Sequence, residues 1–185
     1  MMEKSYVLYG AGGHAKVIVD LILELNGRIE CVFDDNVEVE NATFMNFPVL
    51  KYHADLHKDS KMIIAVGDNN ARKAIASKLK HSFGNLTHPK ASVSDFALIG
   101  KGTVVLANAV VQAEVSIGDH SIVNIGACVD HEVSISDFVH VGPMVYIGGG
   151  AVIKHGVKID PGVIVLRNTE IAENSHITPL SLVSQ

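Results

Sequence analysis

The second half of the chain carries a hydrophobic pattern that repeats every six residues. Every sixth residue from Val93 to Ile177 is valine or isoleucine, and every sixth residue from Ala97 to Ser175 is small or β-branched. This period matches neither a strand, which repeats about every 2 residues, nor an α-helix, which repeats about every 3.6. It is typical of a solenoid in which a short parallel strand turns a corner in each hexad, with both columns inside. Three hexads per coil predict roughly 18 residues per coil and about five coils.

Residues 4 to about 88 show a different pattern, in which short apolar runs alternate with segments of helical period. The runs SYVLYG, IECVF and KMIIAVG predict three strands. HAKVIVDLILEL predicts a helix that places its apolar residues on one face: Val17, Ile18, Leu21, Ile22 and Leu25. NNARKAIASKLKH predicts a second helix with Asp68 or Asn69 as its N-cap. Alternating strands and helices indicate a parallel sheet, so we expect an α/β domain at residues 1–88 and an all-β solenoid at residues 89–185.

Composition and charge narrow the classes of partner. The chain has 15 Lys and Arg against 20 Asp and Glu, a net charge of −5, and no basic run. Nucleic acid is therefore an unlikely partner. Its longest apolar stretch, VIVDLILEL, contains two acidic residues and is too short to span a bilayer. Cys31 and Cys128 lie far apart and indicate no disulfide framework, so we expect a soluble cytoplasmic protein with no membrane partner.

The turn after the first predicted strand has the spacing of a phosphate-binding loop. GAGGHA at residues 10–15 satisfies G-x-G-x-x-G/A, and Asp34 follows about twenty residues later. Backbone amides at such a helix N-terminus suit a phosphate, although the same glycines could serve only a tight turn. About 85 residues hold one mononucleotide-binding half rather than the two halves of a dinucleotide fold. This Rossmann-like half-domain is therefore better suited to a nucleotide-linked sugar than to NAD.

Two histidines in VDHEVSISDFVHVG, His131 and His140, lie nine residues apart. In an 18-residue coil that spacing puts them on opposite sides, so we expect them to meet only across a subunit boundary. His131 lies two residues beyond the inward Val129 and should point outward. Neutral imidazole accepts a proton at cellular pH, and a neighbouring carboxylate would fix its tautomer. Asp130 and Glu132 are both candidates for that carboxylate.

Several motifs together resemble a known family. LYGAGGHAKVI, FDD, IAVGDNNARKAIA, THPKASVS and GACVDHEVSISDFVHVGP follow one another along almost the whole chain. They resemble the hexapeptide-repeat sugar acetyltransferases that act on sialic acid or on the 4-amino group of nucleotide-linked sugars. The resemblance implies a left-handed parallel β-helix, a homotrimer and acetyl-CoA as cosubstrate, with no permanently bound cofactor. Cys128, which precedes the inward Val129, could act as an acyl carrier, but we interpret it as a small residue filling a coil position and expect direct transfer of the acetyl group.

The resemblance also implies roles for individual residues. It places the general base at His131 and the carboxylate that orients it at Glu132. His140 and Gly149 are expected near the acetyl-CoA thioester, with the Gly149 amide stabilising the oxyanion. The remaining expected residues contact the sugar substrate: Gly12, Gly13, His14, Asp34, Asp35, Gly67 and, less firmly, Asn124.

Two other functions remain as alternatives. Some hexapeptide β-helix trimers are zinc carbonic anhydrases, and ten histidines keep a metal site in view. A catalytic zinc site needs three protein ligands, however, and no convincing third ligand accompanies His131 and His140. A non-catalytic scaffold would favour repeated outward ladders of similar residues, but the outward positions here are irregular.

Overall fold

The computed structural model describes residues 4–36 and 42–184. The chain divides into two units, the first ending at Gly84 and the second beginning at Asn85. Each unit has its own hydrophobic core.

The first unit, within the described residues, contains a five-stranded sheet and two helices. The strands are β1 (Ser5–Tyr9), β2 (Arg28–Phe33), β3 (Thr43–Phe44), β4 (Phe47–Leu50) and β5 (Lys61–Ile64). The helices are α1 (Gly13–Glu24) and α2 (Asn69–Ala76). The strand order is β3-β4-β2-β1-β5; β1 pairs in parallel with β2 and β5, and β2 with β4.

This topology locates a candidate binding edge. The chain proceeds from β1 outward to β2 and β4, then returns to the other side of β1 as β5. The boundary between β1 and β5 is therefore a topological switch point, where the carboxyl ends of parallel strands favour ligand binding. The three predicted strands are confirmed. β3 and β4 escaped prediction because they are short, and Pro48 interrupts the apolar run.

Helix α1 was predicted with a partly wrong face. Ile18, Leu21 and Ile22 are buried as expected, and Ala15 and Val19 join them. Val17 is 42% exposed because the buried face is rotated toward Ala15 and Val19. Leu25 lies beyond the last helical residue and is 36% exposed. For α2, the structure selects Asp68 as N-cap, since its carboxylate accepts a hydrogen bond from the Ala71 amide at 2.8 Å.

The second unit is a parallel β-solenoid with three faces. Within residues 85–184, the first face contains β7 (Ser92–Val93), β10 (Val110–Val111), β13 (Cys128–Val129), β16 (Tyr146–Ile147), β19 (Ile164–Val165) and β22 (Leu182–Val183). The second face contains β8 (Leu98–Ile99), β11 (Ser116–Ile117), β14 (Ser134–Ile135), β17 (Val152–Ile153) and β20 (Glu170–Ile171). The third face contains β6 (Leu86–Thr87), β9 (Val104–Val105), β12 (Ile122–Val123), β15 (His140–Val141), β18 (Lys158–Ile159) and β21 (His176–Ile177).

The register confirms the predicted coil length. Cys128 pairs with Val110 on one side and Tyr146 on the other, a step of 18 residues in each direction. Five or six strands per face agree with about five coils.

Both predicted columns line the interior. From Val105 to Ile171 the valine and isoleucine column is buried, and the small column is buried from Thr103 to Thr169. Two polar members of the small column, Thr103 and Ser121, are accommodated in the core by hydrogen bonds to the backbone. The Thr103 hydroxyl donates to the Gly118 carbonyl at 2.7 Å, and the Ser121 hydroxyl donates to the Ser136 carbonyl at 3.0 Å.

Among the described residues, no helix is long and apolar enough to cross a membrane.

Core and surface positions on one face should differ sharply in their effect on stability. Ile153 on the second face is fully buried, whereas Leu98 on the same face is 72% exposed. Ile153→Ala should lower the free energy of unfolding by about 2–5 kcal/mol because it leaves a cavity in a tightly packed interior. Leu98→Ala should change it by less than about 0.5 kcal/mol. Denaturant unfolding measures both, and similar losses would contradict the assignment of inward and outward positions.

Candidate active site

His131 lies on the corner that follows β13, and its side chain is 53% exposed. Its Nδ1 is 2.9 Å from Oε2 of Glu132. Glu132 has φ +60°, the left-handed conformation of the corner, which helps set the direction of its side chain beside the ring. A carboxylate on Nδ1 fixes the proton there and leaves Nε2 as the acceptor nitrogen.

Asp130, the other candidate carboxylate, holds the backbone of the corner. Its Oδ1 accepts a hydrogen bond from the His131 amide at 2.8 Å, and its Oδ2 accepts one from the Tyr146 hydroxyl at 3.1 Å. The His131 amide is the largest influence on the pKa of Asp130, which lies below its usual value even though partial desolvation opposes the shift. Tyr146, the His131 ring and the Gly149 amide lower this pKa further. Since Oδ1 lies 3.9 Å from Nε2 of His131, Asp130 faces the opposite ring nitrogen from Glu132.

Gly149 lies one coil beyond His131, directly beside the imidazole ring. A Cβ atom at Gly149 would be 2.8 Å from Cε1 and 2.9 Å from Nε2 of His131, closer than side chains approach one another. Only glycine therefore permits this ring position. The structure brings the predicted base, its carboxylate and the predicted oxyanion donor together at one corner.

His140 belongs to a separate pair with Asn124. His140 lies in β15, and its Nε2 is 3.2 Å from Nδ2 of Asn124. The Asn124 Oδ1 accepts a hydrogen bond from the Ile125 amide at 2.8 Å, so the amide NH2 group points toward the histidine. Because an NH2 group can only donate, Nε2 of His140 must accept. Neutral His140 consequently carries its proton on Nδ1 and can donate a hydrogen bond from that atom.

The predicted separation of the two histidines is confirmed. His131 occupies the corner between the first and second faces, whereas His140 lies on the third face, opposite that corner. The two side chains therefore do not share a pocket within one chain.

In the first unit, glycines at the switch point fall into two kinds. Gly10 has φ +104°, and a Cβ there would be 2.6 Å from Cγ2 of Val66, so the turn itself requires glycine. Gly12, Gly13 and Gly67 have ordinary φ values and open space where a Cβ would stand. Their lack of side chains leaves room for a ligand to approach the backbone, and half-buried His14 follows in the first turn of α1.

The two aspartates at the end of β2 have different surroundings. Asp34 bonds within the chain through both oxygens: Oδ2 accepts from the Ala11 amide at 2.8 Å, and Oδ1 accepts from the Asn36 amide at 2.9 Å. It ties the glycine-rich turn to the end of β2. Asp35 is exposed and accepts a hydrogen bond from the Tyr9 hydroxyl at 2.6 Å. Burial, followed by the Asp35 bond, raises the pKa of Tyr9, so the hydroxyl remains a donor.

The first unit matches a known domain family. Residues 6–79 match the family model of the PglD N-terminal domain. UDP-N-acetylbacillosamine N-acetyltransferase of Bacillus subtilis (strain 168) is 38% identical over 112 residues, which cover 56% of this chain and 52% of that protein. The chain thus matches about half the length of this curated relative.

Solved structures extend the likeness across both units. The acetyltransferase domain of PglB from Neisseria gonorrhoeae FA1090 is 31% identical, with a TM-score of 0.67 over 93% of each chain. The chain belongs to the hexapeptide-repeat sugar acetyltransferase family. A histidine-to-alanine mutant of GDP-perosamine N-acetyl transferase from Caulobacter crescentus, in complex with CoA and GDP-perosamine, is 26% identical. Its TM-score is 0.90, and the match covers 100% of this chain and 90% of that one.

A metal site or nucleophilic catalysis by Cys128 would require other features in the described residues. In the part of the chain that the structure describes, no group of three or more His, Cys, Asp or Glu side chains is placed to hold a metal ion. Cys128 is half-buried, and burial, with a smaller effect of Asp130, raises the pKa of its thiol. The thiol is therefore protonated at neutral pH, which disfavours it as a nucleophile.

Sequence reasoning missed two tyrosines, Tyr146 beside the candidate base in the second unit and Tyr9 beside Asp35 in the first. Tyr146 bonds to Asp130, which lies 16 residues earlier, close to one coil. The coil period carried the signal for this neighbour, but the individual bond depends on side-chain length. Tyr9 had no comparable signal, since its apolar surroundings indicated only a strand.

The two kinds of glycine should respond oppositely to alanine. Gly10→Ala should lower the free energy of unfolding by about 1 kcal/mol or more, because of its positive φ and the Val66 clash. Gly13→Ala should leave it unchanged or raise it by up to about 1 kcal/mol, since alanine suits a helix better. Thermal unfolding of the two variants measures this difference. If both variants lost the same free energy of unfolding, the fold itself would require Gly13, and no ligand would be needed to explain it.

Proposed function

We propose that this protein transfers an acetyl group from acetyl-CoA to the amine of a nucleotide-linked amino sugar. The His131–Glu132 pair, whose ring lies beside Gly149, is the observation that carries the proposal. The Bacillus and Caulobacter relatives support the substrate class, because they are N-acetyltransferases of nucleotide-linked sugars. The Neisseria acetyltransferase domain has been solved in complex with acetyl coenzyme A. We expect the reaction to occur in the cytoplasm.

In the proposed mechanism His131 is the general base. The sugar amine attacks the thioester carbonyl carbon while Nε2 of His131 accepts a proton from the amine nitrogen. Glu132 keeps the other proton on Nδ1 and stabilises the imidazolium that forms. Asp130, 3.9 Å from Nε2, adds a second negative charge near that imidazolium. The tetrahedral intermediate then collapses, the carbon–sulfur bond breaks, and the CoA sulfur takes the proton back from His131.

The Gly149 amide is the proposed oxyanion donor. It lies beside the base and also faces the Asp130 carboxylate, whose pKa it lowers. The thioester carbonyl would therefore take this N–H in place of that carboxylate, while its carbon faces the attacking amine. Because a side chain at Gly149 would collide with the His131 ring, the donor and the base depend on the same glycine.

The proposed active unit is a homotrimer in which His131 of one chain meets His140 of the next. Half a coil separates the two residues within one chain, so a complete site requires a second copy. His140, held by Asn124 with its proton on Nδ1, would donate a hydrogen bond to acetyl-CoA rather than act as a second base. Asn124 then acts through His140, a role that differs from the expected sugar contact.

The first unit would bind the nucleotide. Gly12, Gly13 and Gly67 leave its backbone accessible at the switch point, and His14 and Asp35 are the side chains proposed to contact the ligand. Asp34 would contribute indirectly, since its carboxylate already holds Ala11 and Asn36.

Release of the CoA thiol tests the activity directly. The purified protein should release thiol from acetyl-CoA with at least one UDP-, GDP- or dTDP-linked amino sugar, and the sugar should gain one acetyl group by mass spectrometry. The same sugar with its amine already acetylated is the matched control and should release none. Sialic acid tests acetylation of a hydroxyl. No release with any acceptor would refute the proposed function.

Substitution of the base tests the mechanism. His131→Ala should lower kcat by about 10²–10⁴ because proton transfer loses its acceptor. His53→Ala is the control: His53 is 71% exposed and also lies near a carboxylate, that of Asp55, so its loss should leave the rate unchanged. An unaltered rate in His131→Ala would show that another group is the base. Loss of wild-type activity on treatment with a chelator would instead favour the metal alternative.

A further inference from the structure

Arg72 in α2 is a fully buried arginine, with 1% of its surface exposed. Its Nη1 donates to the Val66 carbonyl at 3.0 Å and to the Gly67 carbonyl at 3.1 Å. Its Nη2 donates to Oδ1 of Asn69 at 2.7 Å. One buried side chain therefore stabilises the turn between β5 and α2 through these three hydrogen bonds on the side that faces the protein interior.

These bonds determine which way the turn presents its amides. Across a trans peptide the carbonyl and the following N–H point in opposite directions. Since the Val66 and Gly67 carbonyls both point to Arg72, the N–H groups of Gly67 and Asp68 point away from it. Two successive amide donors are thus directed away from the protein interior that holds the arginine.

The same turn forms one side of the switch point. Gly67 has open space where a Cβ would stand, so there is room beside its Cα. Val66 packs so closely against Gly10 that a Cβ on Gly10 would be 2.6 Å from Cγ2 of Val66. The position of the Arg72 guanidinium therefore affects both the turn after β5 and the glycine-rich turn after β1.

Arg72 also supplies charge. Burial lowers the pKa of its guanidinium to about 10, an effect that the Asp68 carboxylate partly offsets, so the group is cationic at neutral pH. Three of the acceptors that it binds are uncharged carbonyl and amide oxygens. Because a charge in a low-dielectric interior acts more strongly than one in water, the turn favours an anion on its outward side.

We propose that Arg72 is a positioning residue for the diphosphate of the nucleotide ligand: it orients the Gly67 and Asp68 amides and places a buried positive charge behind them. This inference rests on the nucleotide binding proposed above and adds the part of the ligand that this turn recognises. Arg72 itself touches no ligand, because the turn covers it.

Calorimetric titration of the full chain with UDP, GDP and dTDP tests the proposal without any acetyl transfer. Wild type should bind at least one of them. Arg72→Gln, which loses both the charge and the fork, should bind that nucleotide about tenfold more weakly or worse. Arg72→Lys keeps the charge but lacks the planar fork that spans the two carbonyls, so its affinity should be intermediate. Arg28→Gln is the matched control, because Arg28 is an exposed arginine at the amino end of β2, and it should bind like wild type.

Kinetics separate positioning from a general structural role. In the Arg72 variants KM for the nucleotide sugar should rise, while KM for acetyl-CoA and kcat at saturation remain near their wild-type values. The inference would be overturned if both KM values rose and kcat fell by the same factor. It would also be overturned if both variants bound nucleotide as tightly as wild type, or if wild type bound no nucleotide. If Arg72→Gln does not fold, Arg72→Lys decides alone. A protein that binds nucleotide through Arg72 but transfers no acetyl group would refute only the proposed function.

Discussion

The hydrogen-bond ladder between successive coils is the constraint on which the second unit depends. Each two-residue strand donates to the strand one coil away, as when the Cys128 amide bonds to the Val145 carbonyl at 2.8 Å. The ladder keeps residues 18 apart in line and holds the inward columns in contact. It is also the reason that Gly149 lies beside His131, because the two residues occupy the same corner on adjacent coils. The geometry of the candidate site is thus a direct result of the repeat.

This regularity explains which parts of the structure could be predicted from sequence. The columns of Val, Ile and small residues specify a periodic interior, so the solenoid, its coil length and the separation of His131 from His140 all followed from arithmetic. Contacts between side chains did not, because the Asn124–His140 and Tyr146–Asp130 bonds depend on rotamers and reach rather than on the period. The choice between Asp130 and Glu132 likewise required the ring orientation, which the flanking sequence leaves open.

The first unit has no repeat, and prediction there was correspondingly less complete. An apolar helix of 12 residues can be rotated about its axis and still bury an apolar face. The sequence therefore predicted Val17 on the buried face, where the structure has Val19. The motif GAGGHA pointed to the candidate binding edge but could not separate Gly10, which the turn requires, from Gly13, which it does not. Arg72 and Tyr9 are buried polar residues next to that edge, and both form hydrogen bonds with partners outside the motif.

The stacking of Gly149 beside His131 has a consequence for how this chain can vary in length. A single residue added within a strand between His131 and Gly149 would displace every later column by one position. Inward valines would turn outward, and a residue with a side chain would replace Gly149 beside the imidazole. Added segments can be accommodated where they bulge from a corner, or as a complete coil inserted away from the site. Natural variation in length among proteins of this architecture should therefore occur in whole coils or in corner loops, and the stretch from His131 to Gly149 should keep its length.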